Sequence, residues 1–379
     1  MGAFLATPVT EKISENAENE DLICGGSSMQ GWRSTQEDAH NCILNFDKET
    51  SLFAVYDGHG GADVAIYSSL HLPDAIKQTE SYAKGDYSQA LKDAFLEFDA
   101  TLITDKVVKE LEKIAQKHNG EAEGDFFFFF ISYLCSHGEA CISILGISIF
   151  KGSKTISHIF PTLNPRNFTA FSDDDDDDDE GALDEDEEDD LDDDSDELED
   201  KDEEDSDDDE DLEDDDDDGF CGKEKVGEDS GCTAVVALIH KDTLYVANAG
   251  DSRCVVSRNR EAVEMSFDHK PEDPPEKTRI VNAGGKVTPD GRVNGGLNLS
   301  RALGDHSYKQ NKSLGPTEQM ISALPDIKTL DIDRSRDEFM VLACDGIWNS
   351  MSSQEVVDFI NEQLDRGVKK LTDICEKVS

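Results

Sequence analysis

A chain of 379 residues is long enough for one large domain or two ordinary ones, and its net charge of -52 is concentrated rather than spread. Residues 173–218 carry 37 Asp or Glu and a single Lys, a net of -36, which leaves 50 acidic and 34 basic side chains, or -16, for everything else. The remainder has the make-up of a mildly acidic globular protein, and direct nucleic-acid binding is excluded because no comparable basic patch exists to release phosphate counterions.

The nine cysteines, at 24, 42, 135, 141, 221, 232, 254, 344 and 375, include no CxxC pair, which removes a zinc ribbon or a thioredoxin-like site. Their odd number and the lack of an opening secretory signal predict reduced thiols in a nuclear or cytoplasmic protein that is not secreted. Met1-Gly2 half-fits a myristoylation signal, but Ala6 stands where Ser or Thr is preferred.

In chain order, Leu52 to Tyr56 is a continuous apolar run that stops at Asp57-Gly58, the pattern of a buried strand ending in a turn. From Gln89 onward, Leu91, Ala94, Phe95, Phe98 and Leu102 recur at helical spacing and predict a helix with one face in the core. Residues 125–171 open with five Phe (126–130) and follow no clear period. The stretch 126–150 has the length of a membrane span, but Ser136, His137, Gly138 and Glu139 near its middle argue against a stable one. Phe, Ser, Leu and Ile are what pyrimidine-rich codons encode, so the segment reads as translated intron sequence. Residues 172–218 lack the apolar side chains needed to offset ordering entropy and predict a disordered tract, either a solvating linker or a lure for basic proteins such as histones. Beyond them, Thr233–Ile239 and Thr243–Ala247 read as strands joined by a short turn, and Phe339–Ala343 as a strand ending in Cys344-Asp345-Gly346. Helical stretches lie near 275–283 and 353–366. The expected organisation is therefore one interrupted domain: 1–118, an insertion at 119–227, and 228–379.

Two apolar strands that each end in Asp-Gly aim carboxylates from their tips, which is what a hard-cation site needs, and oxygen ligands favour Mg²⁺ or Mn²⁺ over zinc. Without a side chain, Gly58 allows close approach, so its carbonyl can face a cation too. His59 stands beside whatever Asp57 binds. Glu37 and Asp38 add acidic groups that would point to opposite faces if the segment were a strand, and Arg33, four residues earlier, would share a side with Glu37. A guanidinium there suits bidentate capture of phosphate oxygens. Asp251 follows another strand within Ala249-Gly250-Asp251-Ser252-Arg253. The Gly-rich stretch ending at Asp305 reads equally well as a hairpin whose Asp caps a loop.

Seven segments, GWRSTQEDAH (31–40), LFAVYDGHGG (52–61), DSGCTAVVAL (229–238), ANAGDSR (247–253), DHKPEDPPEKTRIVNAGGKV (268–287), RVNGGLNLSRALGD (292–305) and CDGIWN (344–349), occur in the order seen in the protein phosphatase 2C family, which this chain resembles. The resemblance implies an α+β fold, a four-layer α-β-β-α sandwich with two central antiparallel sheets, here interrupted by the acidic insertion and missing its last strands. It implies a metal-dependent protein Ser/Thr phosphatase with two Mg²⁺ or Mn²⁺ ions per active site, acting on phosphorylated proteins as a monomer. On that pattern Asp57 bridges both ions, Glu37 and the Gly58 carbonyl face one, Asp345 binds the other, and Asp251 belongs to a weaker third site. Arg33 would hold the phosphate, Asp38 would position water, and His59 would act as general acid. Asn349 stands where many members have Asp and is not counted as a ligand. Members continue into an Asp-Asn motif that supplies a further ligand, whereas here no Asp follows Asp373. Weak metal binding or poor activity is the corresponding expectation. The alternative is an inactive protein whose acidic tract binds histones or other basic proteins. Transcript sequencing across codons 120–172 tests the intron reading, which fails if those codons are in mature message.

Overall fold

The computed structural model describes residues 4–118, 145–151 and 226–378. The Phe run at 126–130, the acidic tract at 172–218, Gly2 and the cysteines at 135, 141 and 221 lie outside them. Strands β1 (Phe4–Glu18), β2 (Leu22–Arg33), β3 (Ala39–Asp47), β4 (Thr50–Tyr56) and β5 (Gly58–His59) are followed by helices α1 (Asp63–Gln78), α2 (Glu80–Ala83), α3 (Tyr87–Thr101) and α4 (Asp105–His118). Next come β6 (Leu145–Phe150), β7 (Gly231–Cys232), β8 (Ala234–His240), β9 (Thr243–Ala249), β10 (Arg253–Arg258), β11 (Glu261–Glu264) and α5 (Pro274–Asn282). The described chain closes with β12 (Leu303–Gly304), β13 (Asp326–Asp331), β14 (Asp337–Ala343), α6 (Asp345–Trp348), α7 (Ser353–Asp365) and α8 (Leu371–Val378).

One antiparallel sheet has the order β1-β2-β6-β14-β10-β11, a second the order β13-β9-β8-β4-β3, and a small third sheet the order β12-β7-β5. The long apolar runs in the sequence arise because strands of both large sheets are covered on two faces, so no polar alternation survives. In β4, Leu52, Ala54 and Tyr56 join a core with α1 and α3, while Phe53 and Val55 face the other way. In β14, Phe339, Val341 and Ala343 pack with Val356, Val357 and Ile360 of α7, and Met340 and Leu342 turn inward. The inward sets meet as a third cluster, Phe53, Val55, Val235 and Ala237 against Cys254, Val256, Met340 and Leu342. These three cores are the seams of an α-β-β-α stack, the expected fold. In α3, the helical stripe of Leu91, Ala94, Phe95 and Phe98 is buried as its spacing predicts.

The largest departure from the sequence reading is β6. Leu145–Phe150 belongs to the stretch without a clear period, yet it pairs with β2 on one side and β14 on the other, in the middle of a sheet. Six residues are too few to reveal a period, and Ile147, Ile149 and Phe150 are buried on both faces, which erases alternation. Among the described residues no helix is long and apolar enough to cross a membrane. The thiols also differ from expectation: Cys24 of β2 and Cys42 of β3 are joined as a disulfide, with Cα atoms 7.6 Å apart. Cys232, Cys254, Cys344 and Cys375 are buried.

Residues 274–323 form a lobe on a small core of Ile280, Val293, Ala302 and Ile321. It is pinned by Glu276, 3% exposed, which receives charge-assisted hydrogen bonds from Arg279 (2.6 Å) and Arg301 (2.7 Å) and one from Ser300 (2.7 Å). Burial alone would raise the Glu276 carboxyl, but the two guanidiniums and Ser300 outweigh it and hold it at about 2, against 4.5 unperturbed. A carboxyl lowered on folding stabilises the fold above its unfolded pKa, and that stabilisation disappears as pH falls through the folded value. We therefore expect the thermal midpoint to drop between about pH 4.5 and pH 2, with roughly 3 kcal/mol at stake. Glu276→Gln should lower the midpoint at pH 7 and flatten that acid limb. Calorimetry of both proteins across this range reads the difference.

Candidate active site

The two large sheets deliver acidic side chains to one end of the sandwich. β4 and β9 of one sheet end at Tyr56 and Ala249, one and two residues before Asp57 and Asp251, and β14 of the other ends at Ala343, two before Asp345. Burial fixes each strand, so the carboxylates at the tips inherit a fixed position. Asp57, Asp251 and Asp345 each present an oxygen within 4.8 Å of the other two. Glu37 and Asp38 line a cavity of about 350 Å³ together with Arg33, Asp57, Gly58 and Asp345.

Residues 34–38 are not a strand. They cross from β2 in one sheet to β3 in the other, so the alternation used to place Glu37 and Asp38 on opposite faces, and Arg33 beside Glu37, does not apply. Proximity comes from the crossover itself. The backbone passes so close to β5 that a Cβ on Gly58 would stand 2.3 Å from the Glu37 carbonyl oxygen. Glycine at 58 is thus a requirement of packing at the site. The Asp57 backbone is held from the other side, its carbonyl accepting from the Thr233 N–H at 2.9 Å.

Such crowding of like charge shows in the acidities. Burial, with the charges of Asp38, Asp345 and Asp251, pushes Asp57 well above the usual carboxylate range. Burial raises Asp38 to about 7, with Asp345 and Glu37 adding to the rise and Cys344 and Arg33 opposing it. Burial also raises Asp251, against the pull of Lys270, whose ammonium lies 2.6 Å from its carboxylate. Asn349 donates to Asp345 at 3.0 Å. Buried carboxylates that repel one another and offer only hard oxygen donors fit a divalent cation, which would relieve the repulsion.

His59 is joined to Asp305, a residue that the sequence alone reads as a loop cap. Its Nε2 lies 2.9 and 2.8 Å from the two oxygens of Asp305, whose side chain is almost wholly buried. Desolvation would lower the imidazole, but the adjoining Asp305 carboxylate outweighs it and raises His59 above its ordinary value. Asp305 adopts a left-handed φ of 52°, and its carboxylate lies where a Cβ on Gly231 would be, 2.6 Å from that position. Asp305 and Lys270 both sit in motifs quoted above. Neither could be assigned a partner before the fold joined positions 59 and 305, or 251 and 270.

The neighbouring Cys344 is no rival nucleophile. Burial and the carboxylates of Asp38 and Asp57 push its thiol far above the usual range, an environment that disfavours the nucleophilic thiolate.

Solved structures with the same architecture include a phosphatase of Toxoplasma gondii (TM-score 0.53, 20% identity, 97% of this chain and 89% of that one). A second is serine-threonine phosphatase 2C from Toxoplasma gondii (TM-score 0.58, 15% identity, 97% and 92%). At such identities they speak for the fold. The sequence profile of the protein phosphatase 2C family matches residues 23–118 and 157–379, and the chain belongs to that family. It is 44% identical over 458 residues to Protein phosphatase 1G of Rattus norvegicus, and 45% identical over 463 residues to that of Homo sapiens. Both alignments span 96% of this chain and 84% of the relative. Probable protein phosphatase 2C 21 of Arabidopsis thaliana is 40% identical over 381 residues, 100% of this chain and 86% of the relative. The protein is accordingly a Ser/Thr protein phosphatase, a metal-binding hydrolase whose substrates are phosphoproteins.

Replacing Asp305 by Asn keeps shape and removes the charge behind His59. The expected result is a fall in kcat of about 10²-fold on a phosphoserine peptide, whose alkoxide leaving group needs a proton. The loss on an aryl phosphate, with its better leaving group, should be much smaller, and parallel rate measurements with the two substrates decide it.

Proposed function

We propose that Asp57, Asp345, Glu37 and the Gly58 carbonyl hold two divalent ions, Mg²⁺ or Mn²⁺, with Asp251 serving a weaker third site beside them, and that the chain hydrolyses phosphoserine and phosphothreonine by direct attack of water. The observation that carries this reading is the trio of carboxylate oxygens within 4.8 Å of one another at the tips of strands from both sheets. Ions bound there would lower the pKa of coordinated water and neutralise charge that builds up on the phosphoryl group. The remaining work falls to Arg33 and Asp38, which line the cavity, and to His59, two residues after Asp57. Arg33, exposed at its rim, pairs with phosphate oxygens. Asp38 accepts from the incoming water and orients it. His59, kept protonated beside Asp305, gives its proton to the departing serine or threonine oxygen. No residue needs to be phosphorylated on the way, in keeping with the inert Cys344 thiol.

The acidic tract extends the proposal. Its 37 carboxylates between residues 173 and 218 would draw basic phosphoproteins, histones among them, toward a monomeric enzyme in the nucleus or cytoplasm. Recruitment of that kind is screened by salt.

Hydrolysis of a phosphoserine peptide by the purified chain should depend on Mn²⁺ and fall at least 10²-fold in Asp57→Asn, with Mn²⁺ affinity measured by calorimetry falling in step. Turnover that survives in chelator would sink the metal assignment. Histone binding should weaken steeply from 50 to 300 mM salt and be indifferent to Asp57→Asn. Binding without any turnover would instead favour the non-catalytic alternative.

A further inference from the structure

The active-site cavity is only partly accounted for by phosphate chemistry. Besides its carboxylates, its lining includes the apolar side chains of Met29, Trp32, Ile347, Met351 and Val378. Trp32 is 55% exposed, the second most exposed large hydrophobic side chain among the described residues, although an indole in water forgoes the transfer energy that burial brings. Its placement has a local cause. Consecutive strand residues point to opposite faces, but the pairing of β1 with β2 slips between Val9–Gly31 and Phe4–Arg33. Gly31 itself adopts a φ of 66°. With Gly31 in this left-handed conformation, Trp32 and Arg33 both line the cavity.

We propose that this apolar lining is a specificity pocket for the residue adjoining the phosphorylated serine or threonine, and that it takes an aliphatic or aromatic side chain. The inference rests on the phosphatase reading above and adds a substrate preference to it. Adjacent Cα atoms in a peptide are 3.8 Å apart, so a phosphoester held at Arg33 brings its neighbour's side chain onto the same cavity. At about 350 Å³ the cavity is near the small end of ligand pockets, enough for a phosphate and one side chain and too little for a folded segment. Acidic neighbours are disfavoured by Glu37, Asp38, Asp57 and Asp345, which line the same cavity. Glycine forgoes the contact.

The test uses fluorescent phosphonate peptides, which mimic phosphoserine and do not turn over, with Leu, Phe, Gly or Glu on either side of the phosphonate. Anisotropy with Mn²⁺ present should show Leu and Phe peptides binding about tenfold tighter than Gly on at least one side, and Glu weakest. Trp32→Ala should bring Leu and Gly peptides to parity, Trp32→Phe should restore most of the preference, and Met351→Ala should reduce it. Equal affinity for Leu and Gly peptides in the unmodified protein would overturn the proposal. So would a preference that persists undiminished in Trp32→Ala. Hydrolysis of an aryl phosphate by the same preparations is read separately. If turnover is absent while the peptide preference and its loss in Trp32→Ala are present, the catalytic reading fails and the pocket stands.

Discussion

Asp57, Asp251 and Asp345 bring like charges within 4.8 Å of one another, an arrangement that would fly apart on a flexible chain. It persists because the strands that carry them cannot move. β4 and β14 are buried along their whole length and β9 along its last four residues, so retreat of any one tip would expose packed apolar side chains. The sandwich therefore pays for its own electrostatic frustration, and burial together with neighbouring carboxylates makes Asp57, Asp38 and Asp251 weaker acids than usual. A site of this sort is prepared for cations before any arrive.

Around that centre the supporting groups work in pairs. Lys270 steadies Asp251, Asn349 reaches Asp345, and Asp305 backs His59. Each pair joins a strand tip to a loop or short helix, so the precision of the site comes from rigid elements and its chemistry from what is laid against them. The close pass of the 34–38 crossover over Gly58 serves the same end, since it brings Glu37 and Asp38 to a cavity their own sheet position would not reach.

Much of this was legible in the sequence, for stated physical reasons. Doubly buried strands write themselves as unbroken apolar runs, which is why Leu52–Tyr56 and Phe339–Ala343 stood out, and why their terminal Asp-Gly pairs could be singled out before any fold was known. The α3 stripe was equally clear because a half-buried helix keeps its period. What stayed hidden was relational. Asp305 looked like a loop cap because nothing in its own neighbourhood mentions His59, 246 positions away. Strand parity set Glu37 and Asp38 on opposite faces, whereas both line one cavity, because the crossover between sheets is not a strand. Leu145–Phe150 escaped notice because six residues flanked by a composition without pattern carry too little signal, and the Cys24–Cys42 pairing because it spans the two sheets.

The position of β6 sets a timetable for the chain. Its partner β2 lies more than a hundred residues upstream and its other partner β14 nearly two hundred downstream, with pairs such as Gly25–Ile147 and Ile147–Val341 stitching the sheet together. During synthesis β2 must wait, its edge unpaired, until residue 150 has emerged, and the sheet cannot close until residue 343 has followed. The second sheet is completed sooner from β3, β4, β8 and β9, apart from its outer strand β13. Half of the sandwich thus comes together while the other half is still an open edge. For that interval the nascent chain depends on chaperones or on speed to keep the waiting strand from pairing with a stranger.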